Sequence, residues 1–314
     1  LLLSTSGDLT AKLWDVSTQQ DAVTLRGFED LVLSTSWNWA GNQLATTSKD
    51  KVLRIWDARQ GSVAASGPDI GGMLGTKVAW LGKQDQLVLV GFDKNSERTI
   101  QIVDTKKIGQ PLATFRIDNS SSVLTPHYDP DTGVLMLWGK GDTSIKFYEI
   151  NNEAPFIHAL TDHATAVPQV GVSLCHKTTV NVKEVELAVV YKLTQTTIEP
   201  ITFTVPRTKK ELFQDDIYPP TLALEPVVTA AEWFSGVDRA PKEISLQPAG
   251  MPKLSDAPKQ VVERRRVVVQ DDSHMDIDKV KERMLGSLGA LANIEDQPIP
   301  GDEKEGVDES EWDD

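Results

Sequence analysis

Four segments of the chain alternate apolar and polar side chains with a period of two, the pattern of a half-buried strand. They are Ala11-Lys12-Leu13-Trp14-Asp15-Val16, Leu53-Arg54-Ile55-Trp56-Asp57-Ala58, Ile100-Gln101-Ile102-Val103-Asp104-Thr105 and Ile145-Lys146-Phe147-Tyr148-Glu149-Ile150. Their reference positions, Trp14, Trp56, Val103 and Tyr148, are spaced by 42, 47 and 45 residues. An aspartate stands six residues before three of them, at Asp8, Asp50 and Asp142. In the remaining repeat Asp93 stands ten residues before Val103. The extra residues fall in the polar stretch Lys94-Asn95-Ser96-Glu97-Arg98, which predicts an insertion confined to a hairpin loop. Further strands are predicted over 32–37 and 43–47, around the turn Ala40-Gly41-Asn42, and over 171–174, 184–193 and 200–205, where Val, Thr and Ile are concentrated.

The period and the two Trp-Asp pairs resemble the WD40 signature, in which about 40–45 residues form one four-stranded blade. The expected fold is therefore all-β, a radial propeller in which the tryptophan packs between adjacent sheets. The turn aspartate then bonds backbone amides and neighbouring side chains. Trp14 and Trp56 read as structural, and Trp37, Trp39, Trp80 and Trp138 as packed strand residues. The Gly-His pair common in such blades is absent; Gly27-Phe28 stands near its place, which predicts a weaker polar network there. A fifth repeat-like segment, residues 160–206, lacks Trp-Asp. About five of seven blades are thus expected in residues 1–206, with the others upstream in a longer protein, since the chain opens without Met.

Composition narrows the function class. No apolar run approaches the roughly 18–20 residues of a membrane helix, and no basic flank or cleavage site marks a secretory signal. Cys175 is the single cysteine, which excludes an intramolecular disulfide and cysteine-rich zinc sites and suggests a cytoplasmic setting. The five histidines, His127, His158, His163, His176 and His274, have no metal-binding spacing. The run from Gly71 to Lys77 lacks the glycine spacing of a phosphate loop and reads as an inter-strand loop. No residues nominate a catalytic group, a cofactor site or a metal site, so the chain reads as non-enzymatic.

The net charge of −14 is concentrated at the C-terminus. Residues 295–314 hold ten carboxylates against Lys304, a net −9, which leaves −5 for residues 1–294. Such a tail repels nucleic acid and suits a basic protein surface. Trp312 stands alone in this disordered acidic end, flanked by Glu309, Glu311, Asp313 and Asp314, with no core to serve. Upstream, Val280, Met284, Leu288 and Leu291, with Leu285 adjoining, predict a short amphipathic helix over 276–292 that suits a partner or packs on the propeller. Arg264-Arg265-Arg266 reads as a solvated linker or, alternatively, as an anion or filament contact. Arg207 with Lys209-Lys210 forms a second small basic patch.

Several blocks resemble the coronins closely: Glu199-Pro200-Ile201, Val205-Pro206-Arg207, Leu212-Phe213-Gln214-Asp215-Asp216-Ile217-Tyr218-Pro219-Pro220-Thr221, Glu232-Trp233-Phe234-Ser235-Gly236 and Ile244-Ser245-Leu246. The resemblance covers roughly residues 1–250 and implies a seven-bladed propeller entered at about its third blade. Residues 207–250 would be an extension packed on its underside, with Pro219, Pro220, Pro226, Pro241 and Pro248 favouring an irregular strap over a helix. Residues 251–275 would be a linker and 276–314 the helix and acidic tail. No sustained apolar heptads follow residue 258, unlike the short coronins, so no coiled-coil oligomer is expected. The ending Asp308-Glu309-Ser310-Glu311-Trp312-Asp313-Asp314 is similar to that of the long tandem-propeller members.

That resemblance implies an actin-cytoskeleton scaffold binding actin filaments and, through a tail centred on Trp312, the actin-related-protein (Arp) complex that nucleates branched filaments. The alternative it implies is a membrane-trafficking adaptor associated with the Golgi or with vesicles.

Overall fold

The structure, a computed structural model, describes residues 1–257 and 281–282. Contacts divide the chain into Leu1–Pro258 and Lys259–Asp314, and the fold below is that of the first unit. The strands up to Thr204 fall into five successive antiparallel sheets, and a sixth, two-stranded sheet lies in the segment that follows them. The first holds β1 (Leu2–Thr5), β2 (Ala11–Asp15) and β3 (Gln20–Leu25). The second holds β4 (Val32–Trp37), β5 (Gln43–Ser48), β6 (Val52–Asp57) and β7 (Ser62–Pro68). The third holds β8 (Lys77–Trp80), β9 (Gln86–Phe92), β10 (Arg98–Asp104) and β11 (Pro111–Asp118). The fourth holds β12 (Leu124–Asp129), β13 (Val134–Gly139) and β14 (Ser144–Ile150), and its outer strand is split into β15 (Ile157–Ala159) and β16 (His163–Ala164). The fifth holds β17 (Gly171–Leu174), β18 (Glu186–Leu193) and β19 (Ile198–Thr204). These are blades of a β-propeller, part of the ring rather than all of it.

The alternating strands bury a face of each sheet against the next. Between the first and second sheets lie Leu13, Leu44 and Trp56; between the second and third, Leu53, Val78 and Leu89; between the third and fourth, Val90, Leu124 and Leu137. Burial of each such side chain contributes about 1.5–3 kcal/mol. Met136, Ile145, Val172 and Val190 join the fourth sheet to the fifth.

Because neighbouring strands are antiparallel, turns alternate between two ends of the sheets. One end, the loop face, carries the turns β5–β6, β9–β10 and β13–β14 and the crossings β3–β4, β7–β8 and β11–β12. The extra residues before Val103 lie in its β9–β10 turn, residues 93–97.

The opposite end is covered by the strap that follows β19. Phe213 and Tyr218 are buried there and stacked 5.7 Å apart, and the Tyr218 hydroxyl donates to the Glu186 carbonyl at 2.7 Å. Two short strands, β20 (Thr221–Leu222) and β21 (Glu243–Ile244), pair with each other. The strap is not wholly irregular, as its prolines predict. A short helix, α1 (Ala230–Phe234), opens on a capping box in which Thr229 and Glu232 satisfy each other's amides. No proline falls between Val227 and Ala240, so nothing there removes a helical donor. Trp233 at the end of α1 is buried, donates from Nε1 to the Gly41 carbonyl at 2.9 Å, and lies under the Arg59 guanidinium, 4.8 Å from the ring centre. Arg59 in turn pairs with Asp238. This ties residues about 190 positions apart and holds the strap on the second sheet.

Candidate interaction surface

The repeated aspartates all stand at the loop face, and each is spent inside the fold. Asp8 Oδ1 accepts the Thr10 amide at 3.0 Å and the Thr10 hydroxyl at 2.7 Å. Asp93 Oδ1 accepts the amides of Asn95 and Glu97 at 2.8 and 3.0 Å, closing the enlarged turn. Asp50 accepts from Ser48, the Val52 amide and Arg54, with the Arg54–Asp50 ion pair at 2.8 Å. Burial works against the charge on Asp50, but the bonds from Arg54, Ser48 and the backbone outweigh it and hold the carboxyl below its ordinary range. Arg54, buried beneath the Phe28 ring at 5.5 Å, thus occupies the network that the missing Gly-His pair left unexplained.

Asp142 reaches a neighbouring sheet instead. It accepts from Arg98 and from Ser122, at 2.7 and 2.6 Å. Arg98 is 3% exposed and also grips Asp118 through Nε and Nη2. Burial pushes the Asp118 carboxyl up, yet the hydrogen bonds from Arg98 and Ser120 and the charges of Arg98 and Lys146 bring it below the usual carboxylate range.

With these carboxylates committed, the cations beside them are not. Arg26, Lys49, Lys51, Lys94 and Lys140 all lie in loop-face segments of the first four sheets and are exposed. None of the five forms an ion pair among the described residues. Asp8 and Glu29 are the exposed carboxylates of the same segments. Five exposed cations without ion pairs among the described residues thus stand along one face of a chain of net charge −14. Met73 and Leu74 protrude from the β7–β8 crossing, 88% and 53% exposed, on the same face. Uncommitted cations around a small apolar prominence suit an acidic protein surface: the charges raise the encounter rate and the apolar tip supplies buried area.

Sequence reasoning passed over these lysines because each is isolated in the chain. The available signal is their position next to the turn aspartate, as in Lys49-Asp50-Lys51, Asp93-Lys94 and Lys140-Gly141-Asp142. The patch that sequence reasoning did select is largely neutralised: Arg207 pairs with Asp216 and Lys210 with Glu184. Trp56 is buried and donates to the Thr46 hydroxyl at 2.9 Å. Trp14 is half-buried; its Nε1 bonds Ser4 at 2.8 Å under the Lys12 ammonium.

Arg264, Arg265, Arg266, Val280, Met284, Leu285, Leu288, Leu291, Glu309, Glu311, Trp312, Asp313 and Asp314 lie outside the described residues. Lys281 and Glu282, within the expected amphipathic stretch, are helical and exposed. Among the described residues no group of His, Cys, Asp or Glu has the arrangement of a metal site, and no helix is long and apolar enough to cross a membrane.

Comparison with known proteins adds to this geometry. A family model described as a type of WD40 repeat matches residues 198–241. Coronin-7 of Mus musculus is 38% identical over 318 residues, covering 100% of this chain and 34% of its own. Coronin-A of Dictyostelium discoideum is 36% identical over 285 residues, covering 91% of this chain and 62% of its own. The solved WD40 domain of Toxoplasma gondii coronin superposes with a TM-score of 0.73 at 33% identity, covering 78% of this chain and 64% of that one. The chain thus spans about a third of the length of its Coronin-7 relatives.

Proposed function

The chain belongs to the coronin family, and from that premise we propose that it is a non-enzymatic scaffold of the actin cytoskeleton whose loop face binds actin filaments. The observation that carries this reading is the group of Arg26, Lys49, Lys51, Lys94 and Lys140, left without ion pairs among the described residues while the neighbouring aspartates are consumed by turns and by Arg98. An acidic filament surface complements it. The test is filament co-sedimentation of the 314-residue chain against a variant carrying Lys49→Glu, Lys51→Glu and Lys94→Glu. Three reversals at an electrostatic contact lower affinity at least about tenfold at low salt, and added salt narrows the gap. Equal sedimentation of both proteins overturns the reading and moves the weight to a trafficking adaptor.

The acidic tail supplies the second contact, with the Arp complex. Its carboxylates steer the segment to a basic surface and Trp312 anchors it in an apolar pocket. Fluorescence anisotropy of the labelled chain against the purified complex, with Trp312→Ala alongside, tests this. Loss of binding in the variant supports a specific tail contact, and equal binding reduces the tail to a charged end.

A further inference from the structure

We propose that the β7–β8 crossing, residues 69–76, is a preformed anchor that seats Met73 and Leu74 in an apolar pocket on the acidic surface of an actin filament. This rests on the reading that the loop face binds filaments, and it specifies what holds the complex. The crossing is clamped at both ends. Asp69 donates its amide to the Lys51 carbonyl at 3.0 Å, and its Oδ1 accepts the Gly71 amide at 2.7 Å. Ile70 is buried in the core between the second and third sheets. At the far end Thr76 is buried, and its carbonyl accepts the Thr47 hydroxyl at 2.6 Å. Between the ends, Gly72 lies so close to the Phe92 carbonyl that a Cβ there has no room, and Gly75 stands close against the Leu33 side chain. The backbone is thus held by both neighbouring sheets, while Met73 and Leu74 stay outside the core. A tip fixed before binding pays little ordering cost on binding.

The other crossings of the loop face present less apolar surface. In the β3–β4 crossing Phe28 turns inward and packs on Trp56, leaving Leu31 exposed. The β11–β12 crossing carries the polar run Asn119-Ser120-Ser121-Ser122. Cations flank the Met73-Leu74 tip from both sheets. Lys51 is tied to Asp69 through its carbonyl, and Lys94 follows two residues after Phe92, against which Gly72 packs. Both lysines are exposed. An apolar tip between two ammonium groups selects a pocket with an apolar floor and carboxylates at its rim. The roles then divide. The lysines act at long range on the encounter and fade with salt, while the seated tip holds the complex once it has formed.

Filament co-sedimentation of the 314-residue chain at low and at high salt separates the two roles. Met73→Ser combined with Leu74→Ser is expected to lower affinity at least about tenfold at both salt levels, since two apolar side chains no longer gain burial. Met73→Leu keeps affinity within about twofold of the parent, because leucine refills the pocket with nearly the same volume. The variant carrying Lys49→Glu, Lys51→Glu and Lys94→Glu loses affinity at low salt, and its deficit narrows at high salt. Both tip residues lie outside the core, so the serine variant keeps the parent's urea midpoint, which is measured alongside. A serine variant that binds as tightly as the parent, or whose deficit closes with salt as the lysine variant's does, overturns the anchor; a weakened lysine variant beside it leaves the filament reading standing. Failure of the parent itself to sediment overturns both.

Discussion

The guanidinium of Arg98, on β10, donates to the carboxylate of Asp142, in a turn of the next sheet, at 2.7 Å. The same arginine holds Asp118, on β11 of its own sheet, so one buried cation joins a carboxylate of its own sheet and one of the next. Replacing it with Met leaves both acids facing a site built for charge. Arg98→Met is expected to destabilise the propeller by about 3 kcal/mol, at the low end for a broken buried pair because Asp118 is partly exposed. Urea unfolding at pH 7 measures the loss; a change below about 1 kcal/mol contradicts it.

Acid should erode the same linkage. Asp118 has a folded-state pKa below its ordinary one, so its contribution is present above about pH 4 and is lost as pH falls through the depressed value; Asp50, held by Arg54, loses its contribution in the same direction in the parent and in Arg98→Met alike. Burial raises Asp69 and Asp131 instead, and protonating them on acidification works in the opposite direction. The stability gap between the parent and Arg98→Met is therefore expected to narrow below pH 4. Urea midpoints of both proteins at pH 7 and pH 3 test this; a constant gap counts against the linkage.

Trp233 anchors the strap by packing, by one hydrogen bond to Gly41 and by the stacked Arg59. Trp233→Ala is expected to cost about 3–5 kcal/mol. The strap should also become accessible to protease while the strands of the third and fourth sheets keep their amide protection. Uniform loss of protection in all sheets would show that the strap is not a separable layer.

Gly71 and Gly72 resist substitution for different reasons. At Gly72 a Cβ would sit 2.1 Å from the Phe92 carbonyl oxygen, backbone that has little room to move. At Gly71 the space is open, but φ is +85°, in the left-handed region. Gly72→Ala is expected to cost about 2 kcal/mol and Gly71→Ala about 1 kcal/mol. Gly71→Asn should recover part of the latter, since Asn tolerates that backbone region better. Thermal unfolding of the three variants orders them.

Strand alternation and the repeat period were legible in the chain because both are local. The expected strands over 32–37 and 171–174 match β4 and β17 to the residue, and the enlarged turn after Asp93 was visible as four extra polar residues. Helix α1 escaped notice because the nearby prolines dominate the stretch, although Thr229 and Glu232 stand at capping-box spacing.

The sequence by itself determined the blade count, the alternation of side chains along the strands and the family, since these depend on residue type at fixed spacing. Tertiary structure alone decided which charges are free. Lys51 and Lys210 are equivalent in a chain, but Lys210 pairs with Glu184, 26 residues away, while Lys51 forms no ion pair among the described residues. Pairing depends on distances between remote segments, and only the packing of the sheets sets those distances.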